Sequence, residues 1–377
     1  MDFSKIFIKD SCPTKIGGQA VLEGIMMKGE DRTAVVVRVD NGRLHIRTEK
    51  LAPRSKAAEI PIVRGVYIFV TTLMTGMKTL IYSAEVLEQL FEEEEGAEAK
   101  AAGADLKEGA DGQKAGAGAD LIEGAEAGAV GSGGKSKQDD KKDEGVPFGL
   151  MIAISVAIAI AFVVGIFIIV PTVVVNFLGT ITDNAVVLNV VEGVFRIVLF
   201  VVYVALISRM KDIQRTFEYH GAEHKTIHCF ENNLPLTPAN AAQFETLHPR
   251  CGTSFLMFVM VIALLLFSLL GWPDLLMRIA SRIVFIPLIA GLSYELLRYA
   301  GSSDNMLVKI LSVPGLLLQK ITTRNPDAAQ LELAIAALKA VLVPAATPAI
   351  EGYCDTDGRL IPEEDSLEFQ SILEGFA

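Results

Sequence analysis

Long runs of apolar residues dominate the pattern along this chain, and four of them are predicted to be membrane-spanning helices. The first covers residues 149–178, where thirty positions contain no charge, whereas roughly 20 apolar residues are enough to cross a bilayer. The others cover 186–208, 254–271 and 279–297, and the last is the weakest. We therefore expect a polytopic α-helical membrane protein with about four transmembrane helices within residues 149–298.

The N-terminal region has a different pattern, which predicts a small β-rich domain over residues 1–58. Apolar and polar residues alternate on both sides of Asp40-Asn41-Gly42, and Asn and Gly accept the positive φ of a tight hairpin turn. The glycines of the preceding stretch IGGQAVLEGIMMKG do not fit a phosphate-binding loop, because no Lys-Ser/Thr pair follows them. We expect these glycines to serve close packing or a tight turn.

Two further segments have apolar residues at helical spacing. Residues 60–91 predict an amphipathic helix at the membrane surface or against the bundle, with a re-entrant segment as the alternative. Residues 305–345 predict amphipathic, interfacial C-terminal helices, the second with Asn325 as N-cap and Pro326 in the first turn.

The acidic balance of the chain is concentrated in two segments that lack the apolar mass to fold. Residues 92–145, rich in Gly and Ala, contain fifteen acids and seven bases and are predicted to be a disordered linker. The predicted loose tail, residues 346–377, is also acidic. The net charge of −11 therefore says little about partners of the folded part, and we expect no nucleic acid among them.

Basic residues near the predicted spans indicate their orientation. The connector 179–185 has one acid and no base, whereas the segment 209–253 is rich in bases, namely Arg209, Lys211, Arg215, Lys225 and Arg250. Since cytoplasmic loops are enriched in Lys and Arg, we expect this loop and, with four spans, both chain termini to be cytoplasmic. Arg278 and Arg282 lie on the outer side in this arrangement and are an objection to it.

One predicted span contains two charges, Glu192 and Arg196, which are four residues apart and therefore on one helix face. Charges within a span are costly and usually face the bundle interior or a water-filled cavity. The two residues are either part of a polar pathway or an ion pair that locks helix packing, and we favour the ion pair.

The stretch YHGAEHKTIHCFE (219–231) contains three of the five histidines of the chain. In a helix, His220, His224 and His228 would form a stripe on one face, with Glu223 beside it. The letters His220-Gly-Ala-Glu223-His224 also match H-x-x-E-H, the arrangement in which two histidines hold zinc and the glutamate acts as the catalytic base. The alternative role for Glu223 is to orient a histidine ligand.

A second cluster, HPRC, contains His248 and Cys251 at a common ligand spacing. Imidazole and thiolate together favour zinc among the divalent metals. Four ligands from His220, His224, His248 and Cys251 would make a closed, structural site, whereas three would leave a position for catalysis. His228 is a further candidate ligand, and Cys251 as a nucleophile with a histidine base is an alternative.

Four motifs in the same order resemble the bacterial YqhQ-type membrane proteins, a family of unknown function. They are GGQAVLEGIMMKG, EYHGAEHKTIH, LHPRCGTSF and AGLSYELLRYAG, and the similarity covers nearly the whole chain except 92–145 and the last thirty residues. Members are described as predicted metal-dependent enzymes. The resemblance therefore implies a metal at His220, Glu223, His224, His248 and Cys251.

Two functions follow as hypotheses for a protein of the bacterial cytoplasmic membrane. In the first, a zinc-dependent hydrolase works at the cytoplasmic face of the lipid bilayer, with Glu223 as catalytic base. In the second, zinc is structural and the chain is a scaffold or assembly factor for a membrane-protein partner. The sequence predicts neither a substrate nor an oligomeric state.

Overall fold

The structure, a computed structural model, describes residues 6–8, 12, 14–39, 42–52, 59–111, 148–178, 182–300, 305–355 and 359–361. The helices are α1 (Val63–Asp111), α2 (Phe148–Val164), α3 (Val170–Leu178), α4 (Ala185–Ile207), α5 (Lys211–Glu231), α6 (Pro238–Ala242), α7 (Gly252–Ser268), α8 (Leu275–Val284), α9 (Ile286–Ala300), α10 (Met306–Thr322) and α11 (Ala328–Val341). A π-helical turn, Gly165–Ile169, precedes α3.

The chain forms two compact units, Phe91–Val164 and the remainder. The first of these contains the whole predicted linker 92–145, in which the end of α1 is described and the residues from 112 onward lie outside the described residues. All candidate site residues belong to the larger unit, Met1–Leu90 with Gly165–Ala377.

The larger unit contains an antiparallel sheet of five strands in sequential order, β1 (Gly17–Val21), β2 (Gly24–Lys28), β3 (Arg32–Arg38), β4 (Leu44–Lys50) and β5 (Glu351–Cys354). Arg38 pairs with Leu44 and Gly42 has a φ of 74°, which confirms the predicted hairpin, although Asp40 and Asn41 lie outside the described residues. Strand β5 was not predicted, because it is a short segment of the acidic tail and gains its backbone partners from β4 and, through a single bridge, from Leu360.

Both faces of this sheet are buried, so the N-terminal strands share their core with helices from the rest of the chain. Ile25 and Val36 pack in one cluster with residues of α5 and α11. Met26 and Val35, which point to the opposite face, pack with Tyr82 of α1. Successive strand residues alternate between faces, and two covered faces explain why β2 and β3 are almost continuously apolar.

Among the described residues, two helices are long and apolar enough to cross a membrane, Ile154–Leu178 with 25 residues and Ala185–Ile207 with 23. Helices α8 and α9 together are a third candidate, bent by 45°. The predicted span 254–271 corresponds to α7, whose 17 residues extend about 26 Å, shorter than a hydrocarbon core of about 30 Å. Two or three spans are thus supported, and the predicted four are not confirmed.

Helix α11 corrects the prediction of an amphipathic helix at the C terminus. Nearly all of its residues are buried, because α11 lies between the sheet and α5. Its N-cap is Asp327 rather than Asn325, and Asp327 forms a capping box with Gln330. The reciprocal hydrogen bonds satisfy the first free N–H groups of the helix.

Candidate metal centre

The predicted histidine stripe lies on α5, which is helical from Lys211 to Glu231 as the spacing indicates. The rings of His220 and His224 are 4.4 Å apart between centroids. The segment after α10 crosses α5 here, and the backbone N–H of Arg324 donates to Phe217 O at 2.9 Å. A Cβ on Gly221 would lie 1.9 Å from Arg324 O, so only glycine allows this approach beside His220.

The second cluster returns to α5 as the sequence predicted. Cys251 is the N-cap of α7, and its Sγ accepts from the backbone N–H of Thr253 at 3.4 Å. The buried Gln319 of α10 holds this segment from the other side. Its Oε1 accepts from the His248 N–H at 2.8 Å, and its Nε2 donates to His248 O at 2.8 Å and to Ser254 Oγ at 2.9 Å. The position of Cys251 therefore depends on α10 as well as α7.

Three predicted ligands, His220, His224 and Cys251, offer ligand atoms that all lie within 4.8 Å of one another. The Nδ1 atoms of the two imidazoles donate to backbone carbonyls, that of His220 to Thr322 O at 2.8 Å and that of His224 to Thr246 O at 2.5 Å. In its neutral form each ring therefore carries its proton on Nδ1 and presents an unprotonated Nε2. Carbonyl groups commonly orient metal-binding histidines in this way.

One atom of this group is left without a partner. The Nε2 of His224 is buried and has no hydrogen bond to any described residue, although His224 is only 1% exposed. A buried polar atom without a partner costs free energy, and an oriented lone pair of this kind suits a metal ligand. The Nε2 of His220 lies 3.1 Å from Cys251 Sγ, a contact that a cysteine–histidine nucleophilic pair would also make.

The charges of these groups depend on one another. Burial raises the pKa of the Cys251 thiol, but the imidazoles of His220 and His224 more than offset it, and the net pKa is well below the usual range. Burial lowers the pKa of His220, but the Cys251 thiolate raises it to about 9. The group thus stabilises a thiolate, which is the form of cysteine that binds metals.

His248, predicted to join the first group, belongs instead to a second one with His228 and Glu231, whose ligand atoms also lie within 4.8 Å of one another. The rings of His228 and His248 are 4.6 Å apart, whereas those of His224 and His248 are 5.6 Å apart. The structure therefore does not group His248 with His220, His224 and Cys251 as a four-ligand set.

In the second group Glu231 already has protein partners, whereas the buried Nε2 of His248 has no hydrogen bond to a described residue. Glu231 accepts from the N–H and Oγ1 of Thr14, both at 2.9 Å, and from the Arg250 guanidinium. Burial by itself raises the pKa of Glu231, but His248 and Arg250 lower it to about 2. His248 Nδ1 accepts from the Arg250 N–H at 3.3 Å, which assigns the proton of a neutral ring to Nε2, 3.6 Å from Glu231. Glu231 with Arg250 therefore resembles a structural ion pair more than a free ligand.

Glu223, the predicted base, is buried between α5 and the first strand. A Cβ on Gly18 would lie 2.9 Å from the Glu223 Cδ and 2.7 Å from Met26 O, so glycine at this position allows the strand to approach both groups. The backbone N–H of Gly18 donates to the carboxylate. Burial raises the pKa of Glu223, an effect that His224 and His220 oppose only in part. The glycines of IGGQ thus include one that serves close packing, as predicted.

Several residues that build the site were not predicted. The carbonyls of Thr246 and Thr322 and the side chain of Gln319 reach the histidines only in the folded chain. Glu231 had a usable signal, because it lies three residues after His228 and hence on the same helix face.

The comparisons with known proteins agree with the predicted resemblance. A family described as "Protein of unknown function (DUF1385)" matches residues 60–343, well over half of the chain. The chain belongs to this family. It is also similar to the uncharacterized protein YqhQ of Bacillus subtilis (strain 168), with 29% identity over 342 residues, covering 89% of this chain and 94% of the relative. No solved structure matches the chain. The family match includes α5, α7 and α10, and therefore every residue of both ligand groups.

Proposed function

We propose that this chain is an integral membrane protein that binds zinc through His220, His224 and Cys251 and acts as a hydrolase at the cytoplasmic face of the bacterial membrane. The observation that carries the proposal is the buried, unpartnered Nε2 of His224. That atom lies in a group with two further ligand atoms, and both of the group's histidines are oriented by carbonyls.

The donor set supports zinc and an open site. Two imidazole nitrogens and a thiolate are typical zinc ligands, and three protein ligands leave one position of a tetrahedron free. His248, the fourth ligand of a closed site, is engaged with Glu231 and Arg250 instead. Catalytic zinc sites keep such a position for water or substrate, whereas structural sites fill it.

A zinc ion bound here would act as a Lewis acid toward a water or substrate oxygen. Glu223 is the residue that would accept the proton from that water, because it is next to His224 in sequence and shares the buried region between α5 and β1. The Gly18 N–H holds its carboxylate, which restricts the directions in which the proton can be received. Thr246 and Thr322 keep both imidazoles oriented throughout.

The second group supports a different function. Through Glu231 it ties Thr14 of the N-terminal segment to Arg250, a pattern of long-range contacts suited to a rigid scaffold. If the protein is a scaffold, zinc would stabilise the 209–253 loop, and the protein would assist assembly of a membrane-protein partner. The two proposals differ in the role of Glu223.

The membrane assignment rests on the two or three helices that are long and apolar enough to cross a bilayer. The cytoplasmic position of the metal group and of both termini is part of the proposal. It is supported by the basic residues of 209–253.

Metal analysis of the purified full-length chain tests the metal proposal. We expect about one zinc ion per chain. His224→Ala and Cys251→Ala should lose most of it, and His45→Ala, at the histidine outside both groups, should retain it. His45 lies on β4 and its Nδ1 is 2.9 Å from Tyr82 Oη of α1, away from the metal group, so it provides a matched control. An intact protein that binds no metal after purification with added zinc would contradict both functions.

The Glu223→Gln variant separates the two functions. If the chain is a hydrolase, the variant keeps its zinc and loses cleavage of quenched fluorescent peptides or 4-nitrophenyl acyl esters by protein in nanodiscs. If zinc is structural, the variant behaves as the intact protein does. Cleavage that persists after chelation would instead favour Cys251 as a nucleophile with His220 as base.

A further inference from the structure

A buried cluster of arginines lies in the bundle away from the metal group, where α3, α4 and α8 meet. Its acid, Glu192, is near the start of α4, and α5 with its histidines follows the other end of that helix. From Glu192 to Ile207 is about 22 Å along the helix. We propose that Arg278, with Trp272 beside it, binds a phosphate group here.

The carboxylate of Glu192 accepts hydrogen bonds from three other side chains. Its Oε1 accepts from Thr172 Oγ1 at 3.0 Å, from Arg196 at 2.7 Å and from Arg282 Nε at 3.1 Å, and its Oε2 accepts from Arg282 Nη2 at 2.9 Å. The predicted ion pair therefore exists but has a third member from α8. Among the described residues, the donors to this carboxylate are Thr172, Arg196 and Arg282, and Arg278 is not one of them.

Arg278 is the cation that this network does not neutralise. It is 1% exposed, its Nη2 donates to the neutral amide of Asn176 at 2.7 Å, and its guanidinium lies 3.9 Å from the centroid of the Trp272 ring. In the part of the chain that the structure describes, its Nε and Nη1 are buried and have no hydrogen-bond partner. The cluster thus contains the buried guanidinium groups of Arg278 and Arg282, the partly buried one of Arg196, and one buried carboxylate.

The nearby Asp274 does not remove this imbalance. It lies one turn before Arg278 on the exposed side, and its carboxylate caps α8 by accepting from the Met277 N–H at 3.3 Å. Charges buried without a counterion are strongly unfavourable, most of all within a membrane. An anion with several acceptor oxygens would satisfy both the charge and the free donors of Arg278, and arginine suits phosphate for this reason.

The surroundings favour the phosphate of a lipid over a free ion. The exposed residues of α8 include Leu276, Met277 and Val284, which would contact acyl chains. Trp272 precedes α8 in the short connection to α7, and tryptophan is enriched at the level of lipid headgroups. A phospholipid could place its phosphate at Arg278 and its chains along this apolar surface.

Thermal unfolding and native mass spectrometry of the delipidated full-length protein test the proposal. The probes are phosphatidylglycerol, a diacylglycerol with the same chains but no phosphate, and inorganic phosphate. We expect phosphatidylglycerol to bind and raise the unfolding temperature, and Arg278→Gln to weaken its binding at least tenfold. Arg209→Gln, at an exposed arginine beyond the other end of α4, should bind as the intact protein does.

The outcomes separate the source of the phosphate from the existence of the site. A response to phosphatidylglycerol alone identifies a lipid headgroup, whereas an equal response to inorganic phosphate identifies a free phosphate. Binding that is unchanged in Arg278→Gln, or that diacylglycerol reproduces, would overturn the proposal. Should Arg278→Gln fail to fold, Arg278→Lys keeps the charge but not the planar donors, and its lipid affinity should still fall.

Discussion

The substitution Gly221→Ala tests whether the crossing of α5 by the segment after α10 shapes the metal group. The new Cβ would lie 1.9 Å from Arg324 O, whereas ordinary contacts begin near 3.4 Å, so the two segments must separate by 1.5 Å. The obstructing atom belongs to the backbone and cannot rotate away. Arg324 is also held by its hydrogen bond to Phe217 O at 2.9 Å.

The expected loss follows from two opposing effects. Replacing glycine by alanine inside a helix stabilises it by about 1 kcal/mol. Overpacking costs typically 1–3 kcal/mol, and a clash between backbones that cannot rearrange belongs at the upper end, about 3 kcal/mol or more. The net effect is a loss of about 2 kcal/mol, or roughly 3 °C in unfolding temperature for a unit of this size.

The same displacement should weaken metal binding. In the intact protein the Thr322 carbonyl accepts a hydrogen bond from His220 Nδ1 at 2.8 Å. The displacement would pull this carbonyl away from the imidazole. Loss of such an orienting partner typically reduces metal affinity 10- to 100-fold. Zinc affinity would be measured by competition with a chromogenic chelator, and stability by thermal unfolding in detergent.

Gly252→Ala is a matched control because Gly252 is also helical and adjacent to a ligand, Cys251. A Cβ at Gly252 meets nothing within 4 Å, so stability and zinc affinity should stay the same or rise slightly. If Gly221→Ala unfolds at the temperature of the intact protein and binds zinc equally well, the crossing does not position His220 and the reasoning is refuted.

Three further predictions follow from buried polar groups. Gln319→Leu leaves the buried N–H and carbonyl of His248 without hydrogen bonds, at a cost of about 1–3 kcal/mol each. It should lower both the unfolding temperature and the zinc content. Gln243→Leu, at an exposed glutamine, should change neither. Glu192→Gln leaves buried arginines without a counterion and should destabilise the bundle by about 3–5 kcal/mol in denaturant unfolding; an unchanged midpoint would show that the ion pairs contribute little. For the intact protein in free zinc at about 100 times the Kd, adding a chelator should lower the free energy of unfolding by about 2.7 kcal/mol. The His224→Ala variant should lose none. An equal loss in the intact protein and the variant would exclude His224 as a ligand.

The features that could be predicted are those encoded by local spacing. Histidines at four-residue intervals predict one helix face wherever the segment is helical, and α5 confirms it. The hairpin before Leu44 likewise depends on neighbouring residues alone. Strand β5 could not be found in this way, because Glu351–Cys354 is a strand only in the presence of β4.

The division of the ligands into two groups could not be predicted from spacing. His248 has the spacing to Cys251 that a ligand needs, yet its partners are Glu231 and Arg250, which lie on α5 and on the segment that returns to it. The choice between groups depends on Gln319, since this residue of α10 fixes the backbone at His248. Such a contact spans 71 residues of sequence and leaves no local signal.

The arginines of α8 show how burial alters an argument made from charge counts. In the sequence alone, Arg278 and Arg282 argue against a cytoplasmic position for the 209–253 loop, because they would then lie on the outer side. The positive-inside tendency expects basic residues in cytoplasmic loops. In the structure both are buried, and Arg282 bonds Glu192 within the bundle. Neither behaves as a loop charge facing the aqueous phase, so the objection loses its basis.

The orientation of the chain in the membrane stays a prediction. Single cysteines introduced at Asp183 and at Arg209, labelled from each side of the membrane, would decide it. A reagent that reaches position 209 only from the periplasmic side would reverse the orientation and place the metal group outside the cytoplasm.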